Sequence, residues 1–260
     1  MPRVVRATAE LLADATDHYT FVSTCSVYSD LSGGKVAEDG AVHVPPADGS
    51  EDVMRFYGGL KLGCERVVEE IFAGRFFIPR PGLIVGPHDP SDRFTYWVRR
   101  IADGEEVLAP GSPDSLVELI DVRDLAGWML DAVEARKTGI YNAVGPDRPL
   151  SMGEMLEMCM QAAGSDAELV WVAEKFLLDN GVQPWTGLPL WLPEGDPDGG
   201  GFFTFDSSRA IAAGLHFRPL IETTRDTLAW HRESGAAVAE RSGAISRERE
   251  SELLHAWATA

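Results

Sequence analysis

The sequence predicts an α/β fold built on a parallel sheet, and three observations carry that expectation. Short, continuous apolar runs at residues 19–24, 76–79 and 140–144 have the length and composition of strands buried on both faces. Stretches with apolar residues at helical spacing, 2–15 and 54–73, precede the first two runs. The chain has 260 residues, 45% hydrophobic and 25% charged, which is ample material for one large or two modest domains.

Each element has a local reason. Residues 2–15 place Val4, Val5, Leu11 and Leu12 on one helical face, and Pro2 suits a first turn. Residues 29–53 are a long polar loop rich in Gly, Asp and Pro. In the helix 54–73, Val67, Val68, Ile71 and Phe72 are expected to face the sheet. Glu65, Arg66, Glu69 and Glu70 are expected to face water, and Gly74 ends the helix.

Residues 94–102 read as a short helix, with Arg99 and Arg100 on it, followed by short strands at 107–108 and 116–120. Asp121 is expected to cap the next helix, with Asp124 in its first turn. Ser151 caps a helix over 152–163, whose methionine stripe reads as core. A strand at 170–172 and a helix at 174–180 follow. Residues 182–193 are too rich in proline to form one helix, and their Trp185 and Trp191 read as a satellite core. A strand at 202–206, helices at 207–213 and 224–231, and an amphipathic helix at 246–257 complete the chain.

Composition excludes several classes of function. The net charge of −18 offers no basic footprint for nucleic acid and disfavours anionic membrane surfaces. No apolar run reaches the ~18 residues of a membrane helix, and the N-terminus does not read as a signal peptide. Cys25, Cys64 and Cys159 are scattered, as expected of reduced thiols in a cytoplasmic protein, and neither they nor the six histidines show metal-ligand spacing.

The chemistry concentrates in two stretches. The first apolar run ends in F-V-S-T-C-S-V-Y, residues 21–28, and Y-G-G-L-K follows at 57–61. A Tyr and a Lys four apart share one helix face. A cation that close favours the phenolate, and a hydroxyl at the end of the preceding strand can share the proton. Such a trio moves a proton on or off a substrate hydroxyl while a hydride moves elsewhere.

With its spacing, this pair of motifs resembles the extended short-chain dehydrogenase/reductase superfamily, in its NAD-dependent epimerase/dehydratase branch. R-P-G-L-I-V-G-P at 80–87 and I-D-V-R-D-L-A at 120–126 are similar to further signatures of that family. The resemblance implies a catalytic triad of Thr24, Tyr57 and Lys61. Thr24 would bind the substrate oxygen, Tyr57 would act as general acid/base, and Lys61 would lower the tyrosine pKa and hold the nicotinamide ribose. Ser23, Tyr57, Lys61, Pro81, Gly82 and Leu83 are the implied contacts to NAD or NADP. Leu83 stands where sugar epimerases often carry an Asn, which points to a less polar or smaller substrate than a sugar nucleotide.

The same resemblance makes the fold a partial Rossmann-like doubly wound sheet with its N-terminal strands missing. Residues 1–85 and 121–150 would form the incomplete dinucleotide-binding domain. Residues 86–120 and 151–234 would form a smaller C-terminal α+β substrate domain, and 235–260 a tail with the final helix. The family opens on a G-x-x-G-x-x-G turn that cradles the cofactor pyrophosphate, and the sequence contains none. Gly33-Gly34 and Gly199 to Gly201 do not substitute for it. Roughly 80–100 residues, about three βα units, are expected to be missing, through a misplaced start or a true truncation. Two functions therefore stand side by side. One is an NAD(P)-dependent oxidoreductase or epimerase acting on a hydroxyl or carbonyl of a small molecule, crippled by the truncation. The other is a non-catalytic remnant or interaction module that no longer binds dinucleotide. By analogy with the family, a homodimer would form through the Tyr–Lys helix.

Overall fold

In the computed structural model the described residues are 1–32, 34–194, 204–234 and 243–260. In chain order the elements begin with α1 (Pro2–Leu12), β1 (Tyr19–Thr20), a 3-10 turn (Cys25–Val27), α2 (Val53–Ile71), β2 (Phe76–Pro81) and β3 (Leu83–Val85). They continue through α3 (Arg93–Ala102), β4 (Glu106–Pro110), β5 (Leu116–Val117), β6 (Leu119–Asp121), α4 (Val122–Glu134), β7 (Gly139–Ala143) and β8 (Leu150–Ser151). The remainder is α5 (Met152–Ala163), β9 (Glu168–Val172), α6 (Glu174–Asp179), α7 (Ser208–Ala212), α8 (Leu220–Ser234) and α9 (Arg247–Ala258). The fold is thus the mixed α/β arrangement with parallel strands that the alternation of apolar runs and amphipathic stretches predicts.

The chain divides into two compact units. The first comprises Met1–Leu83, Glu118–Asp147 and Gly200–Phe217. Its sheet runs β1-β2-β7, all parallel, with Thr20 opposite Phe77 and Ile78 opposite Ile140. Strand β2 lies in the middle, and residues 77–81 are all buried whichever way they point, so both faces are covered. Phe77 meets Trp128 of α4 at 5.1 Å in an edge-on contact. Helix α1 packs along α2, where a Cβ at Gly63 would come within 2.9 Å of the Pro2 ring.

The second unit comprises Ile84–Val117, Arg148–Gly199 and Arg218–Ala260. It contains a parallel pair, β4-β9, and an antiparallel pair, β5-β8, with α3, α5 and α8 packed on one another. Ser151 and Glu154 close a full capping box on α5, and Met152 and Met155 are buried, so the methionine stripe is core. Trp191 is buried and donates from Nε1 to Glu174, and Trp97 donates to the Pro189 carbonyl at 2.7 Å. Arg100 is buried too. Its Nε donates to Glu250 of α9 at 2.6 Å, so it is a structural residue of this unit.

Three local expectations change. Glu65 does not face water: it is fully buried, because its turn of α2 points at the sheet, where Arg80 neutralises it. The proposed strand at 202–206 lies partly outside the described residues. Within them, Phe205 makes a parallel bridge to Val36 and clusters in the first unit, not with the smaller domain. The final helix is no detached tail, since the buried Glu250 anchors it on β4 by accepting from Leu108 N at 3.0 Å.

Candidate active site

The ladder between β1 and β2 continues past the regular strand, with Phe21 N donating to Phe77 O at 3.0 Å and Ser23 N to Pro79 O at 2.8 Å. This register brings the exit of β1, with Ser23 and Thr24, beside the exit of β2, with Pro81, Gly82 and Leu83. The carboxyl ends of parallel strands are where open α/β sheets place their ligands. Thr24 is half-buried and its Oγ1 is occupied locally: it accepts from Ser26 N at 3.1 Å and donates to Ser26 Oγ at 3.2 Å. Ser23 is 4% exposed, and its hydroxyl has no partner among the described residues. Pro81 is buried, Gly82 and Leu83 are half-buried, and a Cβ on Gly82 would meet the Val144 methyls at 3.1 Å.

Helix α2 brings the other two members. Asp52 caps it by accepting from Arg55 N, and the backbone departs from helical geometry at Phe56, immediately before Tyr57. Tyr57 is 44% exposed, and its hydroxyl makes no hydrogen bond among the described residues. Lys61 sits one turn further on. Its Nζ donates to Val22 O at 2.6 Å and lies 4.6 Å over the Phe21 ring. Burial holds the Lys61 pKa below the usual lysine value, with Glu65 opposing. The ammonium is therefore engaged by the outer edge of β1 rather than by the phenol. Thr20 and Val22 carry the backbone groups on that edge, because the ladder to β2 uses the odd-numbered residues.

Two glycines that sequence reasoning passed over set this geometry. A Cβ on Gly58 would lie 2.0 Å from Ser26 O, and one on Gly59 would lie 2.9 Å from Val44 O. Helix α2 can approach the Thr24–Ser26 turn only because residue 58 has no side chain. The signal was legible, since paired glycines inside a helix cost ~1 kcal/mol each and call for a packing reason.

Behind the site lies a closed polar network. The Arg80 guanidinium donates in a fork to Glu65, at 3.0 and 2.6 Å, and to Tyr28 Oη at 2.9 Å. Tyr28 donates to Asn142 Oδ1 at 2.6 Å, and Asn142 donates to Val36 O and Asp206 O. Burial pushes the Tyr28 pKa up to about 12, so this tyrosine stays a neutral donor. The Cys25 thiol donates to Arg80 O, and burial pushes its pKa well up, which removes it as a nucleophile. Glu118 accepts from Phe205 N with both oxygens, at 3.2 and 3.1 Å, and burial raises its pKa to about 7.

A dinucleotide asks for contacts to its nicotinamide end and a cradle for its pyrophosphate. The orphaned Ser23 hydroxyl, Lys61 and the backbone of 81–83 fit the first. Among the described residues no glycine-rich turn joins a strand to a helix N-terminus, so nothing here fits the second.

Comparison with known proteins places this geometry. No curated protein matches the sequence. UDP-glucuronic acid 4-epimerase from Bacillus cereus, solved with NAD, superposes with a TM-score of 0.60 at 16% identity, covering 89% of this chain and 67% of that one. UDP-glucose 4-epimerase from Thermotoga maritima, solved with UDP-glucose, gives 0.59 at 17%, covering 88% and 68%. A dTDP-4-dehydrorhamnose reductase from Clostridium acetobutylicum gives 0.59 at 14%, covering 86% and 70%. The chain thus shares their fold over about two thirds of their length. The profile of the NAD-dependent epimerase/dehydratase family matches residues 3–144, more than half of the chain and the whole span that carries Thr24, Tyr57, Lys61 and Arg80. On that match and this fold, the chain belongs to the NAD-dependent epimerase/dehydratase family.

Proposed function

We propose that this chain carries the proton-transfer half of an NAD(P)-dependent epimerase or reductase site acting on a hydroxyl or carbonyl of a sugar-derived substrate. The observation that carries the reading is the close approach at Gly58, which holds Tyr57 and Lys61 of α2 against the turn that bears Thr24. Tyr57 exchanges the proton of the substrate oxygen, exposed and free of competing bonds. Thr24 orients that oxygen by turning its hydroxyl away from Ser26. Lys61 swings from Val22 O to favour the phenolate. The nicotinamide, when bound, supplies the hydride chemistry. Ser23 and residues 81–83 line the wall against which it rests. Relatives solved with UDP-glucose or UDP-glucuronic acid support a sugar-nucleotide substrate, although Leu83 removes one polar contact such a substrate commonly uses. A homodimer through α2 belongs to the same reading.

A second reading has its own support. Lys61 is bound to Val22 O and the pyrophosphate has no cradle among the described residues, as expected of a remnant that no longer binds dinucleotide. Titrating the folded chain with NADH and NADPH, followed by nicotinamide fluorescence, separates the two. The enzymatic reading expects saturable binding that Lys61→Ala weakens. Absence of binding by a demonstrably folded chain sinks it in favour of the remnant. Light scattering on the same sample reads the dimer.

A further inference from the structure

His43 stands beside Tyr57 and no motif accounts for it. Three backbone links fix its position: Ser29 N donates to Ala41 O at 2.9 Å, Tyr28 and Val42 form an antiparallel bridge, and His43 N donates to Val27 O at 2.9 Å. Residues 41–43 therefore run along the segment that follows Thr24. A Cβ on Gly58 would come within 2.7 Å of His43 Cδ2. The imidazole thus fills the space that a side chain at 58 would take, on the helix turn that carries Tyr57.

A histidine kept for packing alone is usually buried or has its nitrogens bonded. His43 is exposed, and its ring nitrogens make no hydrogen bond among the described residues. The other titratable or charged groups on the elements packed against it are committed elsewhere or lack a positive charge. On α2, Lys61 is bound to Val22 O, Arg55 stacks on the Phe56 ring at 4.9 Å, and Asp52 caps the helix, which leaves Tyr57. On the turn, Cys25 is buried and neutral. The chain as a whole carries a net charge of −18, so an anionic ligand needs a local donor to approach this face.

We propose that His43 is a specificity residue that binds an anionic group of the substrate, carboxylate or phosphate, beside the oxygen handled by Tyr57. The inference rests on the proposed function and adds to it the charge of the substrate. Its backbone is already fixed by the three links, so the ring meets a ligand at low ordering cost. The protonated ring offers a charge-assisted hydrogen bond that the neutral ring does not.

The test is calorimetric binding of UDP-glucuronic acid and UDP-glucose to the folded chain at pH 6 and pH 8, with His43→Gln and His43→Ala. The wild-type chain is expected to bind UDP-glucuronic acid about tenfold more tightly at pH 6 than at pH 8, and both variants to lose that gain. A gain confined to UDP-glucuronic acid identifies a carboxylate, and a gain shared by UDP-glucose identifies a phosphate. Binding of both ligands that neither variant changes at pH 6 overturns the role of His43 and leaves the proposed function standing. A folded wild-type chain that binds neither ligand overturns both. The contact has its own readout in the free protein: the Gly58 amide and Tyr57 ring resonances should shift as the imidazole titrates, and not in His43→Gln. Resonances indifferent to that titration also overturn the inference.

Discussion

Gly58 has the strictest requirement of any residue in the site. Alanine there would put a methyl group 2.0 Å from the Ser26 carbonyl, and the obstacle is backbone that cannot rotate away. Gly58→Ala should cost about 1–3 kcal/mol in urea unfolding and displace Tyr57 from the Thr24 turn. An unchanged midpoint would mean that the helix shifts freely, and that the close approach does not set the site. Glu118 makes a separate demand. Its folded pKa is raised to about 7 from an ordinary 4.5, so the native state holds the proton more tightly than the unfolded state. Its contribution is fully present below pH 4.5 and is lost as pH rises through 7. Glu118→Gln should flatten that decline, gaining on the wild type between pH 4.5 and 7 in chemical denaturation. Parallel pH profiles would show that the buried carboxylate does not carry the dependence.

Helices were the most legible elements, because their ends are written in single residues. Asp52, Asp121, Ser151 and Ser246 each cap a helix by accepting from a backbone N–H two or three residues on. What the helix pattern hid was long-range pairing. Glu65 reads as one of several charges on α2, and only its partner Arg80, fifteen residues on, shows that it points inward. Glu250 hides in the same way inside the charged run R-E-R-E of α9. It accepts from Arg100 and Arg247 and from the Leu108 amide, with partners up to 150 residues away. Glu250→Ala would strand the buried Arg100, at a cost of ~3–5 kcal/mol. Hydrogen exchange should then show α9 opening ahead of the rest of its unit. Uniform protection across that unit would refute the anchoring role.

For the whole molecule, the sequence conveyed the class of the fold and the location of the site better than its boundaries. The parallel strands were visible because burial on both faces leaves unbroken apolar runs. The assignment of Phe205 to the first unit was not visible, because a single bridge to Val36 and a contact with the Tyr28 ring decide it. The site was legible as motifs, Thr24 on one strand exit and Tyr57 with Lys61 on one helix. The present seat of Lys61 on Val22 was not, since it depends on which carbonyls lie along the outer edge of β1.

The absence of a side chain at residue 58 has an evolutionary consequence. A glycine demanded by packing is retained whether or not the protein turns over a substrate. Drift in a lineage that had lost catalysis would erase the hydroxyls of Thr24 and Tyr57 long before it could touch Gly58. Among descendants of this chain, a surviving Gly58 testifies only to an intact fold. The hydroxyls beside it are the record of selection for chemistry.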